Sequence, residues 1–192
     1  MQTGWIEVSG KRYYLENSGK MVTGWTNQNG KWYYLGSSGD LLKGWINDGG
    51  TWYYSNNEGV MQTGWLTDAG GKYYLRGSGA MAIGWRQLDG AWYYFNSDGR
   101  MATGMIEVGG LRYYMDPSDG RMVSGRAVEI NGVTYQAAAD GHLSQQGQET
   151  TGDQSSQNSG NNASGSNTGN NNTGNNVQIL SLIHISEPTR LR

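Results

Sequence analysis

The 192-residue sequence has no cysteine, two prolines, two histidines and a single phenylalanine. Without cysteine there is no disulfide framework and no thiolate metal site. His142 and His184 leave an imidazole-based metal site or triad poorly supplied. Charge is sparse as well: 16% of residues are Asp, Glu, Lys or Arg, with a net charge of −2, so the basic footprint of a nucleic-acid binder is missing. No apolar run approaches the roughly 20 residues of a membrane span. Leu, Ile, Val and Phe together number 29, about 15% of the chain, a level usually associated with disorder. That deficit excludes an aliphatic core. It leaves an aromatic one open, because 8 Trp and 13 Tyr are present beside 32 glycines.

Internal repetition organises what is there. At a period of 20, Gly4, Gly24, Gly44, Gly64, Gly84 and Gly104 open six units. Paired tyrosines fall in phase at 13–14, 33–34, 53–54, 73–74, 93–94 and 113–114. A second glycine recurs at Gly19, Gly39, Gly59, Gly79 and Gly99, and moves to Gly120 in the sixth unit, where the Pro117 segment adds a residue. A seventh, decayed copy runs from Gly125 to about Leu143, with Arg126 in place of Trp and a lone Tyr135.

Each unit reads as one β-hairpin. A short Gly-Trp strand enters a turn such as Ser9-Gly10, Asn29-Gly30 or Asp89-Gly90, and a Trp/Tyr-rich strand returns. Alternation places Trp32 and Tyr34 on one face and Tyr33 and Leu35 on the other, so both faces are apolar. Isolated hairpins are marginal in water, and neighbouring hairpins must cover these faces. The predicted fold is all-β: a solenoid of stacked hairpins over residues 1–143, followed by a disordered linker.

Residues 144–179, rich in Gly, Asn, Ser, Thr and Gln, lack the apolar surface to offset ordering entropy and read as that linker. Leu180–Arg190 resembles the in-frame translation of a sequencing-library adapter, which sets 180–192 outside fold reasoning. Met1-Gln2-Thr3-Gly4-Trp5 repeats Met61-Gln62-Thr63-Gly64-Trp65, so Met1 is expected to be an internal repeat methionine.

Arrays of Trp and Tyr suit two ligand chemistries. Aromatic boxes hold quaternary ammonium groups by cation–π attraction, and aromatic platforms stack on sugar rings. The pattern G-W-x(5)-W-Y-Y-x(4)-G-x-M-x-T-G-W, seen with local departures in Gly24–Trp45, resembles the choline-binding, or cell-wall-binding, repeats of Gram-positive bacteria and their phages. This resemblance covers Met1 to about Leu143. The same repeat class includes glucan-binding and clostridial toxin repeats. It implies a secreted, cell-wall-associated module that binds choline of teichoic or lipoteichoic acid, or alternatively a glycan. It further implies choline boxes built from two Trp and one Tyr of consecutive hairpins, with Met or Leu as an extra wall. Both Trp positions coexist in Trp25 with Trp32, Trp45 with Trp52, and Trp85 with Trp92. The completing ring is Tyr53 or Tyr54, Tyr73 or Tyr74, and Tyr113 or Tyr114; Tyr54, Tyr74 and Tyr114 are the chosen members.

Arg12, Lys72 and Arg112 replace the second Trp elsewhere, and a cation in the box opposes a cationic ligand. The repeat methionines are expected to serve as packing, and Asp48, Asp68 and Asp89 as turn formers. No nucleophile, base and orienting group assemble, so the chain is expected to be non-catalytic, without cofactor or metal. A fused amidase or lysozyme-like domain at either end remains the enzyme alternative, with this chain its targeting half.

Overall fold

A computed structural model describes residues 1–145; the rest of the expected linker and the adapter-like end lie outside the described residues. Seven antiparallel hairpins follow one another. They pair β1 (Gly4–Val8) with β2 (Lys11–Leu15), β3 (Gly24–Gln28) with β4 (Lys31–Leu35), β5 (Gly44–Asp48) with β6 (Thr51–Ser55), β7 (Gly64–Asp68) with β8 (Gly71–Leu75), β9 (Gly84–Leu88) with β10 (Ala91–Phe95), β11 (Gly104–Val108) with β12 (Leu111–Met115), and β13 (Ala127–Ile130) with β14 (Val133–Ala137). The stacked-hairpin reading holds, repeat by repeat. A short strand β15 (Leu143–Gln145) adds to β14, so regular structure runs two residues past the expected boundary.

Register follows from the turns. In the first hairpin Gly4 faces Leu15 and Trp5 faces Tyr14, and this pairing recurs in the next five. A two-residue loop that matches strand twist needs positive φ at both positions, and Asn29 (54°) with Gly30 (80°) supplies it. A slip of one residue would exchange the two faces of every strand.

After the second strand, the chain folds back as a single bridge residue: Leu35 pairs with Leu41, Ser55 with Met61, Leu75 with Met81. The bridge residue also reaches the preceding hairpin. Met61 N–H donates to the Trp32 carbonyl, Met81 to Trp52, Met101 to Lys72 and Met122 to Trp92, each at 2.8 Å. Its side chain runs forward onto the next loop, where a Cβ on Gly79, Gly99, Gly120 or Gly141 would overlap the thioether of Met61, Met81, Met101 or Met122. From the second unit to the sixth, one bridge residue per unit (Leu41, then Met61, Met81, Met101 and Met122) therefore ties three successive units.

The core corrects one expectation. Its largest fully buried side chains are Leu35, Ser55, Leu75, Phe95 and Met115, the last residue of successive second strands. Most tyrosines and tryptophans are only half-buried. Few aliphatics are needed because this single position per hairpin, filled by Leu, Ser, Phe or Met, is buried among the half-buried rings.

Candidate functional site

Because Trp25 lies opposite Tyr34 and Trp32 opposite Asn27, all three rings share the forward face of their hairpin. Tyr53 and Ser55 alternate to the rear face of the next one. Each of the first five interfaces between hairpins is thus a cleft with a forward Trp/Tyr face on one side and the first tyrosine of the next pair on the other.

The third cleft shows the geometry fully. Trp45 and Trp52 stand nearly perpendicular, at 82°, with centroids 6.5 Å apart. Tyr73 closes on Trp45 edge-to-face at 4.8 Å. Trp45, Trp52, Tyr73, Met81, Ser97 and Asp98 line a cavity of about 280 Å³. The fifth cleft repeats the arrangement, with Trp85 6.3 Å from Trp92 at 85°, and 4.9 Å from Tyr113. In the second, Tyr53 closes on Trp25 at 4.7 Å while Trp32 stands 45% exposed. Perpendicular electron-rich rings around an open cavity present several π faces to one cation.

The structure places the expected tyrosines on another face. Tyr54 packs at 5.2 Å on Trp45 of its own hairpin, Tyr74 at 5.3 Å on Trp65, and Tyr34 at 4.9 Å on Trp25. Tyr114 is the cross-strand partner of Met105. The rings that meet the preceding hairpin are Tyr53, Tyr73 and Tyr113, the first of each pair. The reason is parity: the second tyrosine shares the forward face with its own Trp, so only the first points back.

The remaining clefts differ in charge. In the first, the Arg12 guanidinium lies 4.7 Å above the Trp5 ring, occupying the space with the protein's own cation. The fourth has a cavity of about 270 Å³ lined by Trp65, Thr67, Lys72, Tyr93, Met101 and Asp119 among others.

Two aspartates do more than form turns. Asp48 ends β5 and accepts the Trp25 indole N–H at 3.0 Å and the Tyr34 hydroxyl at 3.2 Å. Asp68 accepts the Trp45 indole at 2.9 Å. Each fixes the rotation of a cleft tryptophan from the following hairpin. The signal in the sequence is an Asp 23 residues after a Gly-Trp tryptophan; Trp65 and Trp85 meet Leu88 and Val108 there. Burial, then the Asp48 charge, raises the Tyr53 pKa; burial, then Asp140, raises that of Tyr113. Among the described residues no group of three His, Cys, Asp or Glu is placed to hold a metal ion.

Comparison with known proteins converges on one family. The choline-binding repeat profile matches residues 2–44, 42–83 and 82–126. Among solved structures, CbpJ of Streptococcus pneumoniae TIGR4 is 41% identical with a TM-score of 0.68, covering 74% of this chain and 48% of its own. Choline binding protein F of Streptococcus pneumoniae, solved in the presence of a peptidoglycan analogue, is 42% identical with a TM-score of 0.67, covering 75% and 47%. The modular autolysin LytC of Streptococcus pneumoniae, in complex with a synthetic peptidoglycan ligand, is 32% identical with a TM-score of 0.60, covering 75% and 33%. The chain spans about half or less of these proteins. No match to a curated protein sequence was found. Repeat pattern, stacked hairpins and aromatic clefts agree with this comparison: the chain belongs to the choline-binding repeat family.

Proposed function

We propose that the chain is a non-catalytic attachment module that takes choline groups of teichoic or lipoteichoic acid into its two-tryptophan clefts at the bacterial cell wall. The observation that carries this is the third cleft, where Trp45, Trp52, Tyr73 and Met81 surround a cavity open to solvent. A trimethylammonium head is weakly solvated and keeps its charge, so ring faces replace its water at small cost. The binding set is Trp25, Trp32 and Tyr53; Trp45, Trp52 and Tyr73; Trp85, Trp92 and Tyr113. Several weak sites along one polymer add by effective concentration, which suits retention on a wall. The module is secreted in this reading, and a catalytic domain fused beyond the chain would be carried to its substrate by it. The synthetic peptidoglycan ligand in complex with LytC is in keeping with a wall location.

Trp32 and Trp52 are 45% and 42% exposed, so removing them costs the fold little. The Trp32→Ala, Trp52→Ala double variant is expected to keep its circular dichroism and melting behaviour, yet to elute from a choline-type resin at lower free choline than the parent. Undiminished retention of the folded variant, or failure of the folded parent to bind, overturns the reading.

The fourth cleft favours a second ligand locally. Trp65 offers a stacking face ringed by the donors and acceptors of Lys72, Thr67 and Asp119, a lining suited to a sugar ring. Glycan binding that survives saturating choline and is lost in Trp65→Ala would establish it.

A further inference from the structure

The loop after each hairpin ends in Gly-X-Met in most units, and X differs from cleft to cleft. At the third cleft it is Arg100, contributed by the loop two units after Trp45. Its Nε donates to the Tyr73 hydroxyl at 3.2 Å and lies 3.8 Å from the Asp98 carboxylate. Tyr73 is the ring that closes this cleft, and Asp98 lines the same cavity. Arg100 is therefore held against two residues that line the box, its closing tyrosine and Asp98. The side chain is 52% exposed, and among the described residues no acceptor is hydrogen-bonded to its terminal Nη groups. A planar fork with both outer nitrogens uncommitted is suited to phosphate oxygens.

Two chemistries thus meet in one cleft: rings that select a quaternary ammonium, and beside them a fixed cation that selects an anion. Asp98 adds attraction for the ammonium and orients the guanidinium through their shared contact. Building on the choline reading, we propose that Arg100 reads the phosphate of a phosphocholine group whose ammonium head sits between Trp45, Trp52 and Tyr73. The third cleft is then specific for phosphocholine over free choline.

The other clefts serve as internal comparisons. At the second, the matching residue is Ala80, so the box has no cation at this position. At the fourth, Arg121 Nε stands 3.3 Å from the Tyr93 hydroxyl and 3.5 Å from Asp119, repeating the bracing geometry. There Lys72 replaces the second tryptophan, and the ammonium half of the site is lost.

The test follows assigned tryptophan indole N–H signals of the full 192-residue chain during titration with choline and with phosphocholine. At low salt, Trp45 and Trp52 should respond to phosphocholine at concentrations about threefold or more below those for choline, as expected for a charge-assisted but exposed contact. Trp25 and Trp32 should show no such preference. Arg100→Gln should abolish the preference and leave the choline midpoint unchanged, while Arg100→Lys keeps part of it. Added salt should shrink the preference. Equal midpoints for the two ligands at Trp45 in the parent would overturn the proposal. So would an equal weakening of both by Arg100→Gln, which would mark Arg100 as a brace for Tyr73. No choline response at Trp45 would instead remove the choline reading itself. Phosphocholine-bearing teichoic acid and phosphatidylcholine vesicles then distinguish the source. Arg100-dependent capture of either supports the proposal and names the source, and Arg100-independent capture of both counts against it.

Discussion

Position 55 is where the repeat departs furthest from its own rule. The equivalent residues Leu35, Leu75, Phe95 and Met115 are fully buried apolar side chains, and Ser55 is equally buried at 1% exposure. Its hydroxyl has no partner among the described residues. One hairpin pair along, Phe95 at this position reaches Trp65 at 5.9 Å and Tyr74 at 6.4 Å, contacts a serine is too short to make. Ser55→Leu should remove an unpaired polar group and gain apolar burial, stabilising the protein by about 1–3 kcal/mol. Chemical denaturation would read this as a higher midpoint, with Ser55→Ala giving a smaller rise. A lower midpoint for the leucine variant would mean the interface has closed around the serine. Residue scale also explains why the tyrosine choice was not legible: two adjacent aromatics are equivalent in composition, and only strand pairing tells which one faces back.

At the scale of the element, the turn dictates the hairpin. Six of the seven turns place Gly, Ser, Asn or Asp at the first left-handed position, and the fourth places Ala69 at φ 46°. Alanine has no side-chain group to compensate that conformation, whereas asparagine tolerates it. Ala69→Asn should stabilise by about 0.5–1 kcal/mol, measurable as a small rise in melting temperature with unchanged ligand response. Turn glycines, alternating rings and hairpin length were all readable from the repeat, since they depend on neighbours in sequence. The bridge at Met61 and its equivalents was not, because its partners lie in the hairpin before and the loop after. Those methionines pack as expected, yet Met81 and Met101 also line the cavities.

For the whole molecule, stability sums over interfaces between hairpins. Edge-to-face contacts such as Trp25 with Tyr53 and Trp45 with Tyr73 each add about 0.5–1.5 kcal/mol beyond buried area. This design has a pH consequence. Burial first, with nearby aspartate charge second, raises the pKa of Tyr34, Tyr53 and Tyr113 above the ordinary 10.0. The folded state holds these protons more tightly than the unfolded one. Their contribution is intact below pH 10 and is lost as pH rises from there through the folded values. Thermal melts should therefore fall progressively above about pH 10, in step with tyrosinate absorbance from the interfaces. A flat melting temperature through that range would contradict the burial of these hydroxyls.

The absence of cysteine and the shortage of aliphatics, with five phased Gly-Trp and six phased Tyr-Tyr repeats, were enough to determine hairpins and stacking. Those properties are local, or follow from periodicity, and a linear pattern carries them. Tertiary structure alone decided that the last residue of each second strand is buried deepest, that Tyr53, Tyr73 and Tyr113 close the clefts, and that Asp48 and Asp68 orient the indoles. It also brought Arg100 to Tyr73, 27 residues away. Each of these contacts crosses from one hairpin to another, and its geometry depends on how far each unit is translated and turned against the next.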